Sequence, residues 1–116
     1  MNGNIQKVGL QILDFLNSGE QKMKRLLLPG GTRFVICGVS GSGKSRAIEL
    51  ANDSLPENEQ IAESRELTFE SSVIKAIETL HDLDLAYEVS MHIGFCVYEP
   101  ALAKSLEQNG EKVFWL

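Results

Sequence analysis

The stretch Arg33-Phe34-Val35-Ile36-Cys37-Gly38-Val39-Ser40-Gly41-Ser42-Gly43-Lys44-Ser45-Arg46-Ala47-Ile48-Glu49-Leu50-Ala51-Asn52 decides how this chain is read. It opens with an apolar, β-prone run over 33–37 and closes with a helical run over 46–52. The eight residues between match the phosphate-binding pattern G-x-x-x-x-G-K-[ST] at every fixed position. Such a coincidence falls by chance in about one chain in several hundred of this length. The strand, loop and helix context that the motif requires is also present.

Each residue type in the loop has a physical reason. Gly38, Gly41 and Gly43 let the backbone take positive φ and approach a phosphate without a Cβ in the way, so that successive N–H groups converge on one anion. Val39, Ser40 and Ser42 complete the cradle. Lys44 is expected to reach the β- and γ-phosphates, and the Ser45 hydroxyl to ligate a Mg²⁺ that bridges the same oxygens. The positive end of the following helix adds to the attraction. The ligand implied is a nucleoside triphosphate, ATP or GTP, with Mg²⁺.

The chain has 116 residues, enough for one core but short for a phosphotransferase with a lid and a separate substrate module. Its formal net charge of -5 argues against a general nucleic-acid or anionic-membrane surface. Lys22, Lys24 and Arg25 form a small basic patch that reads as a solvated helix face. No apolar run is long enough to span a bilayer, and the start Met1-Asn2-Gly3-Asn4 has neither a basic nor an apolar leader region, so a cytoplasmic location is the expectation. Cys37 and Cys96 end apolar runs and read as buried thiols, expected near the same sheet edge and reduced. No spacing of Cys or His suggests a metal cluster.

Along the chain, Ile5, Val8, Ile12, Phe15 and Leu16 share one face of an amphipathic N-terminal helix that Ser18-Gly19 stops. A shorter helical stretch over 20–28 runs into Pro29-Gly30-Gly31, a strong breaker. The chain therefore divides into an N-terminal helical segment and linker, 1–31, and a nucleotide-binding domain, 32–116. Residues 52–59 read as loop, 60–64 as a short strand, 69–83 as a helix and 87–98 as a strand with Val89, Met91, Ile93, Phe95 and Val97 at period two. Pro100 opens a helix to about Gln108, Asn109-Gly110 ends it, and 112–116 is a final strand. Strands separated by helices predict an α/β fold of three layers, with a mostly parallel sheet and helices on both faces, of the P-loop NTPase kind. Ligand is expected outside the carboxyl ends of the strands, with Glu63, Ser64 and Arg65 close to the loop.

These residues resemble a family. The strand and GVSGSGKS loop, then Ile61-Ala62-Glu63-Ser64, then Ala86-Tyr87-Glu88-Val89-Ser90-Met91-His92-Ile93 followed by Glu99-Pro100-Ala101-Leu102-Ala103, look like a contracted P-loop kinase of the zeta-toxin type. The resemblance covers residues 32 to 108, and the phosphate loop is its specific part. The loop wording is also similar to that of gluconate kinases and of excision-repair ABC ATPases, although no ABC signature motif follows. The zeta-type resemblance implies transfer of the γ-phosphoryl group of ATP to a small hydroxyl-bearing molecule, such as a sugar nucleotide.

The departures matter as much. The family has a further strand and an acidic base between the loop helix and the Glu-bearing strand, where this chain has only Asp53, Glu57 and Glu59. It also carries a late arginine, and this chain has none after Arg65, which leaves Lys104, Lys112, or Arg33 or Arg65 of a second subunit as substitutes. The candidate catalytic residues are Lys44, Glu63 and Arg65. Glu63 reads either as a carboxylate that holds a Mg²⁺-bound water or orients an acceptor hydroxyl, or as a helix cap. Arg65 reads as a phosphate ligand or a surface ion pair. Asp53 reads as a base or a helix end, and His81 and His92 as ordinary helix and strand residues. The N-terminal helix packs on the core or mediates a homo-oligomer. Two functions follow: a small kinase, or a degenerate nucleotide-binding module that acts through conformation or assembly.

Overall fold

The computed structural model of the chain describes residues 2–21, 23, 32–39, 41–63 and 92–116. The helix expected over 69–83, residues 87–91 of the expected strand, most of the 20–28 stretch and its Pro-Gly-Gly breaker lie outside these, as do Ser40, Ser64, Arg65 and His81.

Four strands form one sheet in the order β2-β3-β1-β4, every neighbouring pair parallel. They are β1 (Arg33–Cys37), β2 (Ile61–Glu63), β3 (His92–Val97) and β4 (Val113–Trp115). β1 and β3 are interior, and from Phe34 to Cys37 and from His92 to Val97 every residue is buried. That is why both read as continuous apolar runs: a parallel strand covered on both faces has no solvent side to make polar. Among the described residues the outer strands are β2 and β4, only three residues each.

Among the described residues, α1 (Asn2–Leu16), α2 (Lys44–Asn52) and α3 (Pro100–Gln108) cover the sheet. Period-two alternation in the strands divides the core between the two faces. Phe34, Ile36, Cys96 and Phe114 meet Val8, Ile12 and Leu16 of α1 and Ala47, Ile48 and Ala51 of α2. Val35, Cys37, Phe95 and Val97 meet Leu102, Ala103 and Leu106 of α3. Each fully buried Ile or Leu here contributes about 1.5–3 kcal/mol of transfer free energy. Pro100 at the first turn and Asn109-Gly110 past the last bound α3 where the sequence places its ends.

α1 joins this core directly. Gly9 is where it crosses α2: a Cβ there would stand 3.2 Å from the Ala47 carbonyl oxygen and 3.3 Å from Leu50 Cβ. Phe15 meets Phe114 edge-on at 5.8 Å between ring centroids, and Phe114 meets Phe34 in the same manner at 5.5 Å. These T-shaped contacts let the positive ring edge face the π cloud and fasten α1 to the sheet. Among the described residues no helix is long and apolar enough to cross a membrane.

The two cysteines are buried, not joined by a disulfide, and at the carboxyl ends of neighbouring interior strands. Cys37 pairs in register with Val97 and Cys96 with Ile36. Consecutive strand residues point to opposite faces, so Cys96 belongs to the α1 and α2 side and Cys37 to the α3 side. A disulfide between them would require one strand to be turned over.

Candidate functional site

The chain leaves the carboxyl ends of β1 and β3 in opposite directions. From β1 it runs through α2 on one face, past β3, to β2. From β3 it runs through α3 on the other face, past β1, to β4. Opposite directions on opposite faces give both crossovers the same hand. The crevice outside β1 and β3 is therefore a topological switch point, the place where open parallel sheets bind ligands.

The loop that follows β1 stands at this crevice, and both neighbouring strands hold its base. Gly38 N–H donates to the Val97 carbonyl at 2.9 Å, and Leu116 N–H donates to the Cys37 carbonyl at 2.8 Å. A Cβ on Gly38 would overlap the Ser42 hydroxyl and stand 3.1 Å from Leu116 Cβ, so any larger residue there would have to displace the Ser42 side chain. Ser42 N–H donates to the Val39 carbonyl at 3.0 Å, closing a turn. Gly41 has φ 80° and Gly43 φ 103°, as expected, but Gly38 does not take positive φ and is glycine for want of space instead; no described non-glycine residue has positive φ.

Gly43 is also the N-cap of α2, and no side chain caps it. Its carbonyl accepts the first helical hydrogen bond, from Ala47 N–H at 2.8 Å. The remaining first-turn amides are the groups a helix cannot satisfy itself, and with the helix dipole they attract an anion. Lys44 starts the helix with only 6% of its surface exposed. Its Nζ donates to the Gly38 carbonyl, which folds the ammonium back across the loop. A buried ammonium needs such partners.

Ser45 Oγ donates to Glu63 Oε2 at 2.8 Å, although β2 lies two strands away from β1. Asn52 explains how that distance is bridged. It ends α2, and its side chain behaves like a neighbouring strand: Nδ2 donates to the Ile61 carbonyl at 3.2 Å, and Ile61 N–H donates to Oδ1 at 2.7 Å. Gln60 Nε2 adds bonds to the Asn52 and Leu55 carbonyls, both 2.9 Å. With the end of α2 tied to the start of β2, the start of α2 and the end of β2 meet at the opposite pole. A hydroxyl and a carboxylate are hard oxygen donors, the chemistry suited to Mg²⁺ with waters completing the shell.

Several residues considered from sequence stand elsewhere. Asp53 follows the nine-residue α2 and so lies about 13 Å along the helix axis from its start. Glu57 and Glu59 are in a 3-10 turn that leads into β2. All three acidic groups are at the amino end of the sheet, away from the loop, because α2 runs antiparallel to the strands. Arg33 and Lys112 are at that end too. Arg33 makes a two-pronged ion pair with Glu111, Nε to Oε1 at 3.0 Å and Nη2 to Oε2 at 3.1 Å, and Lys112 Nζ sits 5.3 Å from the Phe114 ring centroid. These positions correct the expectation that Asp53 or Lys112 could serve the loop of their own chain. Lys104 is on the exposed side of α3. His92 is a buried strand residue whose Nδ1 accepts Thr32 N–H at 3.2 Å. Two contributors escape motif reading: Asn52, which looks like an ordinary helix end, and Ile5, whose side chain meets Gly43.

Comparison of the chain with protein-family models, curated proteins and solved structures gives no significant match.

Proposed function

We propose that this protein binds ATP or GTP with Mg²⁺ in the glycine loop as a small P-loop kinase, similar to the zeta-toxin type, and acts in the cytoplasm. The observation that carries the reading is the Ser45–Glu63 hydrogen bond beside an uncapped helix start. It joins a phosphate cradle to an acidic oxygen, the two parts phosphoryl transfer requires in one place. In this reading the loop amides and the α2 dipole hold the β- and γ-phosphates, and Lys44 exchanges the Gly38 carbonyl for phosphate oxygens. Ser45 would hold Mg²⁺, with waters completing its shell, and the ion would supply charge neutralisation for the transferring group, while Glu63 would orient the acceptor hydroxyl. An acceptor hydroxyl oxygen bonds to the γ-phosphorus, the bond to the β–γ bridging oxygen breaks, ADP or GDP leaves, and the hydroxyl proton passes to Glu63.

A second reading is favoured by a specific observation: Asp53, Glu57, Glu59, Arg33 and Lys112 all stand at the other end of the sheet. On that reading the protein is a nucleotide-binding module that works through conformation or assembly, with little turnover. ADP or GDP release with sugar-nucleotide and nucleoside acceptors, alongside calorimetric binding of Mg-ATP and Mg-GTP, separates the two. Turnover that needs an acceptor supports the kinase; binding without turnover supports the module; absence of binding overturns both.

A further inference from the structure

The Ile5 side chain lies against the residue that turns the loop into a helix. A Cβ built on Gly43 would stand 2.5 Å from Ile5 Cδ1 and 2.7 Å from Ile5 Cγ1, so the isoleucine rests on the Gly43 backbone itself. Gly43, with φ 103° and ψ 23°, sets the direction in which α2 leaves the loop, and with it the direction of the first-turn N–H groups. Glycine takes positive and negative φ about equally readily, so which of them it keeps is set by what surrounds it.

α1 is well placed to hold it. Val8, Ile12 and Leu16 continue the stripe that Ile5 begins, and all three are buried in the core. Phe15 ties the same helix to Phe114. Ile5 is thus the end of a strut whose other contacts are fixed on the sheet and α2.

We propose that Ile5 is a positioning residue of the phosphate site: it buttresses Gly43 in the left-handed conformation and so couples the docking of α1 to nucleotide affinity. The affinity part of this proposal rests on the reading of the loop as a nucleotide site. Coupling is reciprocal, so nucleotide would also tighten α1 against the loop.

The test compares full-length wild type with Ile5→Ala, Ile5→Val and Ile12→Val. Ile12→Val removes a methyl from the same stripe at a residue in the core cluster. Two quantities are read: the backbone amide resonances of Gly41, Gly43 and Lys44 without ligand, and the dissociation constant for Mg-ATP or Mg-GTP. Ile5→Ala is expected to shift those resonances and to weaken binding about fivefold or more, the lower range of coupling between sites. Ile5→Val should restore most of both, and Ile12→Val should lower the melting temperature while leaving both unchanged. Loop resonances in Ile5→Ala that match wild type would overturn the proposal, as would equal effects from Ile12→Val. If wild type binds neither nucleotide, the nucleotide reading fails by itself. The ligand-free resonances still decide the buttress: shifts centred on Gly43 uphold it and their absence overturns it. Should Ile5→Ala not fold, the same comparison is made with Ile5→Val at smaller amplitude.

Discussion

Ser45 Oγ and Glu63 Oε2 stand 2.8 Å apart, joining the first turn of α2 to the last residue of β2 across 18 positions of sequence. The bond places a carboxylate beside the helix start that closes the glycine loop. If Glu63 takes the acceptor proton, Glu63→Gln should lower turnover by two orders of magnitude or more, within the range of about 10²–10⁴ associated with a general base. Nucleotide affinity should stay within a few fold, because the phosphate cradle is untouched. ADP release and calorimetry on the same preparations measure both, and turnover that survives the substitution would remove Glu63 from the chemistry.

Lys44 is buried over the loop, its ammonium donating to the Gly38 carbonyl. Lys44→Ala should weaken Mg-ATP binding by about 1.5–3 kcal/mol, the range for a hydrogen bond to a charged group, or more than tenfold in Kd. Equal calorimetric affinity for the two proteins would show that the loop does not read phosphate through this residue.

Asn52 connects α2 to β2 through two hydrogen bonds to one backbone residue, Ile61. Asn52→Ala leaves that partly buried peptide group short of partners and should destabilise the fold by about 1–3 kcal/mol. Because it also loosens β2, which carries Glu63, it should lower turnover as well. Chemical denaturation together with an ADP-release assay checks the pair of effects; lost stability with unchanged turnover would confine Asn52 to the fold.

Gly94 lies on β3 between Glu63 on one side and Phe34 on the other in the strand register. A Cβ there would stand 2.9 Å from Phe34 Cζ and 3.0 Å from Ile48 Cδ1. Gly94→Ala should therefore overpack the α2 side of the sheet, at a cost of about 1–3 kcal/mol. A melting temperature equal to wild type would mean that Phe34 and Ile48 yield without penalty.

Cys37 and Cys96 face opposite sides of the sheet, so mild oxidation of the folded protein should leave the chain free of an internal disulfide. Intact mass before and after oxidation, with thiol counting in denaturant, gives the answer. Loss of the mass of two hydrogen atoms from the folded monomer would contradict the strand register.

The sequence by itself determined the parts whose cause is local. The apolar run at 33–37, the glycines of the loop and the helix after it specify their own backbone, because period, β-propensity and positive φ are properties of neighbouring residues. The same holds for Pro100 and Asn109-Gly110 at the ends of α3. Only the tertiary structure decided which residues share a pole of the sheet. Strand order β2-β3-β1-β4 and the antiparallel run of α2 carry Asp53, Glu57 and Glu59 away from the loop, and they make Ser45 the partner of Glu63, whose place near the loop was already legible from the end of its strand. Neither Asn52 against Ile61 nor Ile5 against Gly43 follows from a motif, since each contact depends on how two elements cross. Local patterns fix conformation along the chain, whereas juxtaposition follows from the crossovers and from the apolar faces they bury together.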